Sequence, residues 1–361
     1  FALESSLYIS NRHKVTDQLT LEYGLRYNNF TQLGPGTVYT FDGEGEVSNS
    51  QEYGEWESVV SYHGLAPRFT GTYVLNEQQS IKGGYARTYQ YLHLLSNSTG
   101  GTPVDLWLPS SNNIAPEVAD QISLGYFRNF DDNRYEFSVE AYYKNLQRVI
   151  DYKPGATITL NPEVEGELLF GDGRAYGIEF YLKKKAGRFT GWLSYTLARS
   201  QRQFDEINGG AWFSATQDRI HDISLVAMYQ WTERISLSAA WVYWTGNAVT
   251  FPTGQYTIDG QVYNYYGERN ANRMPDYHRL DVGLNIDGKK YKQDRNPVTG
   301  ELVTVPKRFQ SSWNFSCYNL YGRENAYTIS FQPSSVDPTQ SEAVRLALFK
   351  WVPSVTWNFE F

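Results

Sequence analysis

Apolar and polar side chains alternate residue by residue along most of this 361-residue chain. Leu19, Leu21, Tyr23, Leu25 and Tyr27 share one parity, while Thr20, Glu22, Gly24, Arg26 and Asn28 take the other. Tyr135, Phe137, Val139, Ala141 and Tyr143 repeat the arrangement against Glu136, Ser138, Glu140, Tyr142 and Lys144. The same period carries Ile223 to Trp231, Ile235 to Tyr243, Leu280 to Ile286 and the closing Val355, Trp357, Phe359 and Phe361. A strand sends successive side chains to opposite faces, whereas a helix repeats at about 3.6 residues. Helical periodicity competes nowhere, and the expected fold class is all-β.

About thirteen such strands can be counted, and their connections are of two alternating kinds. Arg12 to Asp17, Asn76 to Gln79, Asp131 to Arg134, Ala186 to Arg188 and Trp231 to Glu233 are short. Thr31 to Ser58, Tyr91 to Val118, Tyr152 to Asp172, Arg202 to Asp218 and Gly246 to Asp276 are long and polar. Short turns at one end and long loops at the other are the layout of an antiparallel transmembrane barrel. A soluble sandwich would also alternate; the strand number and the two classes of connection favour the barrel. Only Gly288 to Arg308, long and charged where a short turn is due, breaks the pattern.

Composition agrees. The chain carries 29 Tyr, 19 Phe and 10 Trp but only 2 Met, and its mean hydropathy is −0.52. Barrels place amphipathic rings in girdles at the two membrane interfaces. A net charge of −7 argues against nucleic acid as a partner. The single cysteine, Cys317, excludes an internal disulfide, and no Cys/His cluster offers a zinc site, so no metal and no cofactor is expected. Cys317 shares its parity with Trp313 and Phe315 and is expected to face lipid. The opening residues have no signal-peptide pattern, and the expectation is that the chain begins inside something larger.

Several segments resemble the TonB-dependent outer-membrane receptors, in the type common among Bacteroidetes-like bacteria. Pro67 to Asn76 followed by Ser80 to Gln90 resembles that family's mid-barrel hairpin. Ile114-Ala115-Pro116-Glu117 with Gln121 to Tyr126 is similar to its Pro-Glu element, and Gly171 to Glu179 to the strand after the next loop. Tyr318 to Asn325 resembles the penultimate-strand signature, and the chain ends on an aromatic residue, Phe361. The resemblance implies a Gram-negative outer-membrane receptor for energised nutrient uptake, with siderophore, glycan or peptide ligands, and not an enzyme. Members carry a plug domain and about 22 strands. Residues 1–361 are therefore expected to be the C-terminal portion of such a barrel, with the plug and earlier strands absent from this chain. Implied partners are the plug and remaining strands, TonB with its inner-membrane motor, the barrel-assembly machinery, membrane lipid and a lid lipoprotein. Trp357, Phe359 and Phe361 are the implied assembly signal.

The inward-facing polar set is expected to be Glu22, Arg26, Arg68, Lys82, Glu136, Glu140, Lys144, Glu179 and Asp281, a lumen wall that meets the plug. Loop aromatics suited to stacking on a ligand are Tyr53, Trp56, Trp107, Trp212, Tyr265 and Tyr266. Asp218 to Asp222 and Asp276 to Asp281 each put His and Asp at a loop-to-strand junction. No nucleophile is tied to either pair, so structural hydrogen bonding is the expectation, against a catalytic His–Asp dyad. The acidic run Asp42 to Glu46 is not an EF-hand loop and reads as solvated. A passive porin remains the alternative, with an outer-membrane enzyme less favoured.

Overall fold

The computed structural model describes residues 1–95, 106–157, 160–259, 261–298, 300–337 and 340–361. Thirteen strands follow one another in a single antiparallel sheet in which each pairs with the next in sequence. They are β1 (Ala2–Lys14), β2 (Leu19–Leu33), β3 (Ser58–Asn76), β4 (Gln79–Gln90), β5 (Glu117–Phe130), β6 (Tyr135–Tyr152) and β7 (Leu168–Lys184). The sheet continues through β8 (Phe189–Gln203), β9 (His221–Gln230), β10 (Ile235–Trp244), β11 (Tyr277–Asp287), β12 (Gln310–Tyr318) and β13 (Val352–Glu360). The all-β expectation holds. Among the described residues no helix is long and apolar enough to cross a membrane, which says nothing against crossing by strands.

Register shows why the alternation matters. One row of directly opposed residues runs Tyr73, Ile81, Tyr126, Val139, Phe180, Tyr195, Ile223, Tyr243 and His278 across nine strands. The row one residue away runs Thr72, Lys82, Gly125, Glu140, Glu179, Thr196, Asp222, Trp244 and Tyr277. The first is almost wholly apolar and the second largely polar. A one-residue slip would exchange the two faces everywhere, so the apolar face fixes the register. Stacked cross-strand rings, such as Tyr143 on Tyr176 at 6.3 Å and Trp313 on Trp357 at 5.8 Å, reinforce it on the same face.

That apolar face is not covered by any other part of the described chain. Leu7, Ile9, Leu25, Leu65, Ile122 and Leu124 are all among its exposed side chains. A patch of this extent in water would drive aggregation; in a bilayer it needs no cover. The small buried clusters lie instead where the loops meet the loop-side strand ends: Ile114 packs with Leu95, Ile150, Val164 and Leu168, and Phe204 with Val149, Leu169, Ile207 and Phe213.

The sheet is open. Among the described residues β1 pairs only with β2 and β13 only with β12, and every residue of both edge strands is exposed. Short turns join β1–β2, β3–β4, β5–β6, β7–β8 and β9–β10 at one end. At the other end most long connections fold as added hairpins, for example Gly36–Phe41 on Val47–Tyr53 and Pro252–Ile258 on Gln261–Tyr266. The exceptional turn-side connection after β11 is also a hairpin, Tyr291–Arg295 on Leu302–Pro306. At the same end Phe309 gathers Trp357, Phe359 and Phe361 into an aromatic cluster at 5.4–6.4 Å.

Candidate functional site

The loops after β4, β8, β10 and β12 and the loop-side end of β6 meet above the sheet around a cavity of about 530 Å³. Its apolar wall includes Leu94, Val249, Phe251, Ile329 and Phe331, with the Phe251 and Phe331 rings 5.4 Å apart. Its polar side is set by Asp151, Arg202 and Arg269. Arg269 is ion-paired with Asp151 and lies over the Tyr152 ring at 4.5 Å, while Arg202 stands 3.9 Å from the same carboxylate. Asn208 fixes the Arg269 backbone from both sides: its Nδ2 donates to the carbonyl and its Oδ1 accepts the amide, at 3.0 and 2.8 Å. Two guanidinium groups against one carboxylate leave one positive charge beside an aromatic wall, chemistry that suits an anionic ligand carrying flat rings.

The cavity rests on a buried latch. Asp218 is fully buried, ion-paired with Arg273 and 3.5 Å from Arg199, and it accepts the Ser200 amide at 2.6 Å. Arg273 also donates to the Asp218 and Gly246 carbonyls, at 2.9 and 3.1 Å. A second latch closes the last long loop. Asn319 takes φ +54°, donates its amide to Asp281 at 2.9 Å, and bonds the Arg323 and Lys350 carbonyls through its side chain. Asn325 clamps the amide and carbonyl of His278. The Tyr318 to Asn325 signature is thus a loop root.

His221 and His278 each bond a tyrosine hydroxyl rather than a carboxylate, so neither junction forms a His–Asp dyad. Asp42 Oδ1 accepts the Glu44 and Glu46 amides, an Asx-type turn. Among the described residues no group of His, Cys, Asp and Glu is arranged to hold a metal.

The six loop aromatics do not converge. Tyr266 lines the cavity. Tyr265, its neighbour on the same strand, is exposed, as is Trp107 on another hairpin. Trp212 covers the Arg174 guanidinium at 4.2 Å, Trp56 stacks on Phe1 at 5.5 Å beside the β1 edge, and Tyr53 pairs with Gly36 in a hairpin. The sequence reading missed the Arg–Asp groups, whose members lie far apart in the chain: Arg273 and Asp218 are separated by 55 positions, Arg269 and Asp151 by 118.

Glu22, Arg26, Arg68, Glu136, Glu140, Lys144 and Glu179 all lie on the face opposite the apolar rows. Glu22 pairs with Arg12 at 3.0 Å and Glu136 with Lys185 at 2.8 Å. Glu140 and Glu179 are directly opposed, and neither has an ion-pair partner among the described residues. Cys317 sits opposite Val282 on the apolar face.

In the hairpin Leu92–Leu95, His93 is buried with its Nε2 3.2 Å from Ser110 Oγ, and burial lowers its pKa below the usual 6.5. The folded hairpin therefore holds the neutral ring, while an opened one takes up a proton near pH 6.5. Stability is complete above that pH and declines as pH falls below it. Opening of the Ser110 amide, bonded to the Tyr91 carbonyl at 2.8 Å, should increase at pH 5.5 relative to pH 7.5 after correction for intrinsic exchange. A His93→Gln variant should remove the dependence; an unchanged dependence would refute this origin.

A membrane-spanning antiparallel wall with short turns on one side and folded loops on the other defines the outer-membrane barrel class. The sequence matches, over residues 2–320, the family described as TonB dependent receptor-like, beta-barrel, and the chain belongs to it. Its place is the outer membrane of a Gram-negative bacterium, and the family consists of receptors and transporters. Among solved structures, the siderophore receptor PiuA from Acinetobacter baumannii superposes with TM-score 0.61 at 14% identity, covering 99% of this chain and 43% of that one. FpvA from Pseudomonas aeruginosa, bound to pyoverdine, gives 0.60 at 13%, covering 99% and 42%. The FrpB iron transporter from Neisseria meningitidis gives 0.57 at 13%, covering 99% and 45%. The chain thus spans less than half the length of these structures. No curated protein sequence matches it.

Proposed function

We propose that residues 1–361 are the C-terminal part of the barrel of a TonB-dependent receptor, of the Bacteroidetes-like type, that takes up a scarce nutrient with energy delivered through TonB. The observation that carries this reading is the loop-side cavity, with its Arg202–Asp151–Arg269 group and aromatic wall, on a sheet of this family. Ferric siderophore is the ligand class that best fits an arginine-and-ring lining, in keeping with the description of PiuA as a siderophore receptor and of FpvA as bound to pyoverdine; glycans and peptides are the other classes. Earlier strands pair with the free edges of β1 and β13, because unpaired backbone groups are not tolerated in lipid. In cells carrying the whole receptor, uptake of a labelled ferric siderophore should stop on adding a protonophore or deleting TonB. Uptake that survives both treatments would mark a passive channel.

The unneutralised Glu140–Glu179 pair is the proposed contact for a basic side chain of the plug, since opposed like charges are unfavourable on their own. A Glu140→Gln, Glu179→Gln receptor should release its plug at lower urea, with about 1–3 kcal/mol less docking free energy. An unchanged midpoint would remove the contact.

A further inference from the structure

Four of the five histidines, His13, His63, His221 and His278, sit on the apolar, lipid-facing side of the sheet, and the last three are each paired with a tyrosine near its loop-side end. The Tyr27 hydroxyl is 2.7 Å from His63 Nδ1, Tyr195 is 2.9 Å from His221 Nδ1, and Tyr321 is 2.7 Å from His278 Nδ1. In the first two pairs the rings are also stacked, at 6.0 and 6.1 Å. Every one of these bonds occupies Nδ1 and leaves Nε2 without a partner among the described residues.

Register places the three at one depth. From His221 the opposed residues run back through Leu197, Ile178, Ala141, Leu124 and Gly83 to Gly71 on β3. His63 lies eight residues loop-ward of Gly71, after six strand steps. Forward from β9, His278 shares its row with Ile223, two residues turn-ward of His221 after two steps. Both offsets have the same sense. With a strand rise of about 3.4 Å and a spacing of about 4.8 Å they correspond to a slant near 40°, within the usual barrel tilt of about 35–45°. Strands so tilted carry His63, His221 and His278 at the same height.

Other polar outward residues fall on the same line. Asp120, held by Arg87 at 2.8 and 2.9 Å, lies four residues loop-ward of Leu124 on β5, and Arg199 lies two residues loop-ward of Leu197 on β8. Turn-ward of Asp120 the outward residues Ile122, Leu124 and Tyr126 are apolar until Arg128. At that tilt the Asp120–Arg128 interval spans about 20 Å along the membrane normal, comparable with an apolar band of about 25 Å. The line is thus the loop-side edge of the hydrocarbon, where lipid head groups begin.

We propose that His63, His221 and His278 bind phosphate groups of outer-leaflet lipid. Nδ1 is held by the tyrosine, so Nε2–H is presented outward as a donor to a phosphate oxygen, and the phenol fixes the ring plane. The inference needs only the membrane placement of the wall and is independent of what the receptor imports. The test uses the whole receptor in detergent and native mass spectrometry, with phosphatidic acid and diacylglycerol of the same acyl chains as probes. The wild-type protein should retain phosphatidic acid at least about tenfold over diacylglycerol. His63→Phe, His221→Phe and His278→Phe together keep the ring packing and should bring the ratio close to one, while heat-modifiable migration confirms that the barrel is folded. Should that triple variant fail to fold, the single variants His63→Phe, His221→Phe and His278→Phe ask the same question, with the ratio expected to fall in each and an undiminished ratio in all three counting against the proposal. Equal retention of the two lipids by the wild type, or an undiminished ratio in a folded triple variant, would overturn the proposal.

Discussion

Replacing Leu124 by arginine should lower the stability of the folded wall by about 2–4 kcal/mol, the cost of a cation near the bilayer midplane on a barrel's lipid face. Leu124 is 62% exposed and stands between Gly83 and Ala141, so no neighbouring side chain can shelter or pair with the new charge. The adjacent Ser123 faces the other way, opposite Gly84 and Tyr142, and Ser123→Arg should change stability by no more than about 0.5 kcal/mol. Urea unfolding of the whole receptor in liposomes, followed by heat-modifiable migration, separates the two. Equal effects would mean that the faces are not lipid and lumen.

Loss of the Asp218 carboxylate should cost about 3–5 kcal/mol, because it strands buried charge and not merely a contact. Without it the Arg273 guanidinium, three-quarters buried, loses its counter-ion and the Ser200 amide its acceptor. Asp218→Ala should therefore free the 204–220 and 245–276 connections to protease while the strands stay folded. Asp218→Asn should fall between the two, since its side-chain oxygen can still accept from Ser200. Hydrogen exchange at Ser200 and Ala215, whose amides bond within this latch, reports the loss directly. A change below about 1 kcal/mol would show that the latch is not what holds the loop roots.

The wall was legible in the sequence because strand periodicity is local. Leu19 to Tyr27 and Tyr135 to Tyr143 state their faces without reference to anything distant, and the structure pairs them accordingly. The connection after β11 was not legible as a hairpin, because Tyr291–Arg295 is charged on both faces and only pairing with Leu302–Pro306 organises it. The site was the least legible part. Its arginines find their acids across 55 and 118 positions, a proximity that only the barrel's curvature and the loop folds create. Aromatic residue type alone could not distinguish Tyr266, in the cavity wall, from Trp56, which stacks on Phe1 at the sheet edge.

The most direct test of a one-layer wall with lipid on one face is a nitroxide scan along β6 in the whole receptor reconstituted in bilayers. Labels replacing Phe137, Val139, Ala141 and Tyr143 should collide strongly with oxygen, which concentrates in hydrocarbon. Labels replacing Glu136, Ser138, Glu140 and Tyr142 should not, giving a period of two along the strand. A flat oxygen profile, or equal access of a water-soluble nickel complex to both sets, would contradict the account.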